Sequence, residues 1–133
     1  MNKLVPALAI ALLAAGMLLL AGCQGASASS GYQTISASEA QAMMDQEDGY
    51  VILDVRRADE FASGHIPDAV NVPVESMGGD QVPGLEDKDQ LIMIYCRSGN
   101  RSGQAAQKMV AMGYANVVDF GGIQSWDGEV VTE

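Results

Sequence analysis

The chain has 133 residues, a length that suits one domain, with 17 acidic and 7 basic side chains for a formal net charge of −10. That balance argues against nucleic acid as a partner, because phosphate binding needs Lys and Arg, and it gives no attraction to an anionic membrane surface. A single histidine, His65, and two cysteines, Cys23 and Cys96, outside any Cys-x-x-Cys pair cannot assemble a zinc site, so no metal or cofactor is expected.

Residues 1–22 open with Met-Asn-Lys and continue into a Leu/Ala-rich run from Leu4 to Leu20. A positive start, an apolar stretch and small residues before a break mark a secretory signal peptide. The run with its flanks also reaches the roughly 17-residue lower limit for spanning a bilayer, so length alone leaves an uncleaved anchor open. Leu20-Ala21-Gly22-Cys23 resembles a bacterial lipobox, which implies cleavage before Cys23 and lipidation of its thiol. Residues 23–31 then form the lipidated cysteine and a Gly/Ala/Ser tether. Both readings put the domain on the extracytoplasmic face of the cell membrane, and lipid on Cys23 would be its link to that membrane.

The folded part is expected over residues 32–133. Residues 32–35 suit a short strand. Ser36 to Glu39 has capping-box spacing, so a helix should start there and carry Met43 and Met44 into the core, with Asp48-Gly49 ending it. Residues 50–53 form an apolar run of strand length. A short helix is expected over residues 57–62, a turn over 64–68 with Pro67, a strand over 70–72 and a loop over 78–89. Residues 91–95, Leu-Ile-Met-Ile-Tyr, are apolar throughout, as in a strand covered on both faces. A helix over residues 101–112 follows, stopped by Gly113. Residues 117–120 suit a last strand, Gly121-Gly122 a turn, and residues 123–127 a short closing helix with Trp126 packed inward. Strands alternating with helices imply an α/β sandwich: a mostly parallel sheet with helices on both faces.

Cys96 follows the central strand and precedes a helix, in Tyr95-Cys96-Arg97-Ser98-Gly99-Asn100-Arg101-Ser102. Ligands of parallel sheets bind at the carboxyl ends of the strands. A cysteine there can sit in a cradle of backbone N–H groups leading into a helix N-terminus, which favours a thiolate or another anion. Gly99 allows the loop its tight turn. Arg97 and Arg101 flank the cysteine in a domain with few cations. The alternative is an inert buried thiol.

Several segments in order resemble the rhodanese family: Asp54-Val55-Arg56; Glu60-Phe61 through Gly64-His65-Ile66-Pro67-Asp68-Ala69, with Asp68 where glycine is usual; Asn71-Val72-Pro73; the Cys96 loop; and Gly113-Tyr114 through Gly121-Gly122-Ile123 to Trp126. The resemblance implies a rhodanese-like three-layer sandwich and a sulfurtransferase. Cys96 would be the catalytic residue, taking a sulfane sulfur as a persulfide from a small anionic donor such as thiosulfate. A thiol or cyanide would accept it. The substrate-binding residues would be Arg97, Ser98, Gly99, Asn100 and Arg101, whose amides cradle the persulfide while the two arginines orient the donor. His65, Asp54 and Arg56 are expected to be structural.

Related phosphatases and arsenate reductases resemble Cys-x5-Arg, whereas only four residues separate Cys96 from Arg101. A non-catalytic sulfur-carrier or protein-binding module remains a second reading. A thioredoxin-like cycle is disfavoured because no resolving cysteine lies nearby. A monomer is expected.

Overall fold

The computed structural model describes residues 31–133. The expected signal segment, Cys23 and the tether up to residue 30 lie outside the described residues. Five strands, β1 (Gln33–Thr34), β2 (Val51–Asp54), β3 (Val70–Asn71), β4 (Ile92–Cys96) and β5 (Val117–Gly122), form one sheet in the order β1-β5-β4-β2-β3. Every strand pairing is parallel. Three helices connect them: α1 (Ala37–Gln46), α2 (Ala58–Ser63) and α3 (Asn100–Ala111). Short 3-10 turns lie at Val74–Ser76 and Ile123–Ser125.

β4 is central, and all five of its residues are buried. Its side chains alternate between two cores, as the two-residue period of a strand requires. Ile92, Ile94 and Cys96 join Ala105, Ala106 and Met109 of α3, with Val74, Met77, Val82 and Leu85 of the long 74–89 connection. Met93 and Tyr95 join Ala40 of α1, Ile66 and Phe120, with Met43, Met44 and Trp126 packed alongside. The expected layers are therefore present, with the sheet between α1 and α3. Each aliphatic side chain buried in this way contributes about 1.5–3 kcal/mol.

Local sequence chemistry fixes the element ends. Ser36 caps α1: its Oγ accepts the Glu39 N–H at 3.2 Å, and the Glu39 carboxylate accepts the Ser36 N–H at 2.7 Å. Past α3, the Gly113 N–H donates to the Val110 carbonyl at 3.0 Å and the Tyr114 N–H to the Met109 carbonyl at 3.1 Å. These two bonds make a Schellman motif, which stops the helix at Gly113 as expected. The Tyr114 hydroxyl then pins the 74–89 connection, accepting the Val82 N–H at 3.0 Å and donating to the Leu85 carbonyl at 2.5 Å.

Two expectations near the end of the chain are corrected. Gly121 and Gly122 do not turn the chain after a strand ending at residue 120; they are the last residues of β5. The β4–β5 register passes from Ile94 opposite Asp119 to Cys96 opposite Gly122, so β5 carries one extra residue. That bulge re-aims the end of β5 at the loop after β4, a common role for bulges beside sites. The closing element is also shorter than expected, a 3-10 turn in place of a helix over 123–127.

Candidate active site

Cys96 is the last residue of β4, and α3 begins four residues later. The intervening loop is tight. Gly99 closes it at φ +109°, a conformation L side chains rarely adopt, and serves as the N-cap of α3 without a capping side chain. The Gly99 N–H donates to Cys96 Sγ at 3.0 Å. The first-turn amides of α3, at Asn100, Arg101 and Ser102, have no backbone acceptor among the described residues, as at the start of any helix. Cys96 Sγ therefore accepts one backbone N–H from the N-cap of α3, next to the positive end of the helix dipole.

The thiol is buried, with 1 % of the residue exposed, and donates to the Ser102 hydroxyl at 3.5 Å. That hydroxyl is fully buried and donates in turn to the Gly99 carbonyl at 3.0 Å, with the Gly121 carbonyl at 3.3 Å. Ser102 thus ties together the cysteine, the loop and the end of β5. Gly122 is the floor: a Cβ there would lie 2.1 Å from the Arg97 carbonyl oxygen and 2.6 Å from Ser98 Cα. The Gln124 N–H adds a bond to the same Arg97 carbonyl at 3.3 Å.

The candidate residues separate into two groups. Arg97, Ser98 and Asn100 are exposed at the loop surface, and the Asn100 side chain accepts from Gln104 at 2.7 Å. Arg97 has no salt-bridge partner among the described residues. Arg101 is engaged differently. Its two terminal nitrogens donate to the two Glu60 carboxylate oxygens at 2.7 and 2.9 Å, a bidentate pair with both side chains 25 % exposed. Glu60 also accepts the Arg57 N–H at the start of α2, at 3.0 Å. The Arg101 guanidinium holds the Glu60 carboxyl down at about 2, against an ordinary 4.5.

Below the loop, the Asp54 carboxylate lies fully buried and accepts from the Arg56 backbone N–H at 2.9 Å and from its guanidinium at 2.6 Å. Arg56 donates onward to the Gly64 carbonyl at 2.7 Å. The Tyr95 hydroxyl accepts the Ile66 N–H at 3.1 Å, and burial raises the Tyr95 phenol well above its usual range. His65 stacks on Phe61 at 3.8 Å between ring centroids, and its Nδ1 lies 3.0 Å from the Phe61 carbonyl. The backbone of His65 pairs with Val131, and the partners of Cys96 are Gly99 and Ser102 instead. These residues buttress the segment that carries α2 and the following turn. Among the described residues, no group of three or more His, Cys, Asp or Glu side chains could hold a metal ion.

Sequence reasoning missed three of these features: Ser102 as the hinge of the cradle, Gly122 as its floor, and Glu60 as the partner of Arg101. Only Glu60 left a local signal, standing three residues after Arg57 at the start of a short helix, the capping spacing already seen at Ser36.

A parallel five-stranded sheet with a cysteine held where its central strand meets a helix defines a class of α/β domain that presents a thiol at the carboxyl end of its sheet. The chain belongs to the rhodanese family: the model of the Rhodanese-like domain matches residues 36–129. It is 38 % identical over 94 residues to a sulfurtransferase of Allochromatium vinosum, covering 68 % of this chain and 83 % of that one. It is 34 % identical over 96 residues to the thiosulfate sulfurtransferase GlpE of Pseudomonas savastanoi pv. phaseolicola, covering 71 % and 87 %. The crystal structure of a rhodanese-related protein from Thermoplasma volcanium superimposes with a TM-score of 0.64 at 30 % identity, over 77 % of this chain and all of that one. Other relatives are longer. The chain spans 45 % of an uncharacterized protein from Synechocystis and 51 % of the putative sulfur carrier protein YrkF of Bacillus subtilis.

Proposed function

We propose that the domain moves a sulfane sulfur from a small anionic donor such as thiosulfate to a thiophilic acceptor through a persulfide on Cys96. The Cys96 thiolate attacks the outer sulfur of thiosulfate. A new sulfur–sulfur bond forms to Cys96, the donor's own sulfur–sulfur bond breaks, and sulfite leaves with its electron pair. Cyanide or a thiolate then attacks the outer sulfur of the persulfide, taking it as thiocyanate or as a new persulfide and returning Cys96 to thiolate. Electrons balance without an external oxidant or reductant.

The observation that carries this reading is the Gly99 N–H on Cys96 Sγ at 3.0 Å, at the start of α3, whose first-turn amides have no backbone acceptor among the described residues. Such a cradle stabilises negative charge on a sulfur at the start and end of each step. The burial of the thiol adds a size limit. A donor must reach a sulfur whose residue is 1 % exposed, whereas the outer sulfur of a persulfide stands one bond further out. The loading step therefore suits small donors, and the unloading step tolerates bulkier acceptors.

The test is intact mass after incubation with thiosulfate, beside Cys96→Ser. One added sulfur atom, absent from the variant and removed by cyanide, supports the reading. No gain with thiosulfate or with polysulfide refutes it. Continuous thiocyanate production separates an enzyme from a carrier, which loads once and turns over slowly. A phosphatase reading is disfavoured by the four-residue spacer and by the engagement of Arg101 with Glu60, which leaves no free arginine at that end of the loop to grip an oxyanion.

We further propose that lipid on Cys23 tethers a monomeric domain to the extracytoplasmic face of the cell membrane. The lipobox-like Leu20-Ala21-Gly22-Cys23 supports the tether. Cys23→Ser should move the protein from the membrane fraction to the soluble one, and a native mass of two chains would overturn the monomer.

A further inference from the structure

We infer that Glu60 is a specificity-determining residue of the Cys96 site: by pairing with Arg101 it cancels one of the two positive charges beside the cysteine and so limits the preference for highly charged anions. The biological meaning rests on the sulfur-transfer reading, but the electrostatics can be measured without it.

In sequence, Arg97 and Arg101 present two cations to an incoming donor. Of these two, Arg101 has an ion-pair partner in the structure and Arg97 has none among the described residues. Both terminal nitrogens of Arg101 face both oxygens of Glu60, at 2.7 and 2.9 Å, across 41 positions of sequence. Glu60 is fixed from its own side as well, by the Arg57 N–H at 3.0 Å. It therefore holds still while it binds Arg101, and the pair stays ionised at any physiological pH.

The neighbouring charges cancel in the same way. Arg57 is paired with Asp59 at 2.7 Å on the exposed face of α2. Arg101 also feels the negative charge of Glu75. Glu60 and Glu75 both act on Arg101 and Arg57 is paired with Asp59, so the unpaired charge of Arg97 stands in surroundings that come close to electrical balance. A dianion gains little there over a singly charged or neutral sulfane compound, so the site suits organic persulfides as well as thiosulfate.

The test alkylates Cys96 in the full chain with two reagents of similar size and opposite electrostatics, anionic iodoacetate and neutral iodoacetamide. Peptide mass mapping assigns the modification to Cys96. The ratio of the two rates reports the local potential and cancels changes in intrinsic thiol reactivity. Glu60→Gln keeps a side chain able to cap α2, because glutamine serves at that capping position. It frees the charge of Arg101 and should raise the iodoacetate to iodoacetamide ratio roughly threefold at low salt. Arg101→Gln leaves Glu60 unopposed and should lower the ratio by a similar factor. Opposite shifts support the inference. Shifts in the same direction, or no shift, would overturn it, since damage to the loop moves both variants alike.

The two readings fail separately. A chain that never gains sulfur but shows opposite shifts loses the sulfur-transfer reading and keeps this one. A chain that gains sulfur but shows no shifts loses only the role of Glu60. With a working enzyme, Glu60→Gln should also lower KM for thiosulfate while leaving kcat within about twofold, a split that a merely structural role would not produce.

Discussion

Gly122→Ala tests how closely the Cys96 loop rests on β5. The Gly122 backbone is ordinary extended chain, φ −123° and ψ 149°, so alanine meets no conformational penalty there. The added methyl meets backbone instead, with the Arg97 carbonyl oxygen at 2.1 Å and the Arg97 carbonyl carbon at 2.6 Å. Real Cβ contacts do not close below 3.0 Å, so the loop must lift by about 0.9 Å at its first residue after Cys96. Displacement on that scale costs roughly 100-fold in a positioned reaction. Forcing a methyl into a packed contact costs about 1–3 kcal/mol of stability. The assays are thiocyanate production from thiosulfate and cyanide, and urea unfolding. Gly78→Ala is the control, since nothing lies within 4 Å of its added methyl. If Gly122→Ala stays within about twofold of the wild-type rate and about 0.5 kcal/mol of its stability, the loop is not held by this contact and the account of the cradle fails.

Three further outcomes follow from the same geometry. Asp54→Ala should cost about 3–5 kcal/mol in urea unfolding, because it leaves the buried Arg56 guanidinium without its counter-ion. Ser102→Ala should cost about 1–2 kcal/mol by removing the donor shared by the Gly99 and Gly121 carbonyls, and should slow persulfide formation roughly tenfold as measured by timed mass spectra. The Glu60 carboxyl is depressed in the folded chain, so its pair stabilises the fold above pH 4.5 and that contribution is lost as pH falls from 4.5 toward about 2. Thermal midpoints of Glu60→Gln should therefore fall less steeply than wild type across that window.

The strands and helices were legible because their signals are local. Residues 91–95 read as a buried strand from composition alone, and β4 is offset from them by a single residue. Ser36 and Glu39 announced α1 through a capping box that the structure reproduces in full. Asp68, noted where glycine is usual, is the one non-glycine residue with positive φ among the described residues, at 66°. Aspartate tolerates that conformation better than most side chains, so the departure from the family pattern left the turn intact. The electrostatics of the site were not legible. A basic residue beside a cysteine reads as substrate binding until its partner is known, and the partner of Arg101 comes from α2, 41 positions earlier. Only the parallel β2–β4 pairing brings the ends of those two segments together. The bulge that carries Gly122 under the loop was hidden for a related reason. Two consecutive glycines read as a turn, and only the pairing of β5 with β4 makes them strand.

The same distinction between local and global charge predicts how the site responds to salt. Residues 31–133 carry 6 basic and 17 acidic side chains, a net of −11. That field repels an anionic donor at long range, while the local attraction is limited to Arg97 and the amides of the loop. The two act over different distances. At about 0.15 M salt the screening length is roughly 8 Å, short enough to remove most of the repulsion from the distant carboxylates and too long to remove contacts within the cradle. Raising the ionic strength from a few millimolar should therefore lower KM for the dianion thiosulfate more than KM for an acceptor that carries only its thiolate charge. A KM that rises with salt would mean that the positive charge near Cys96 outweighs the rest of the domain, and Glu60 would then be masking far less of it than the geometry indicates.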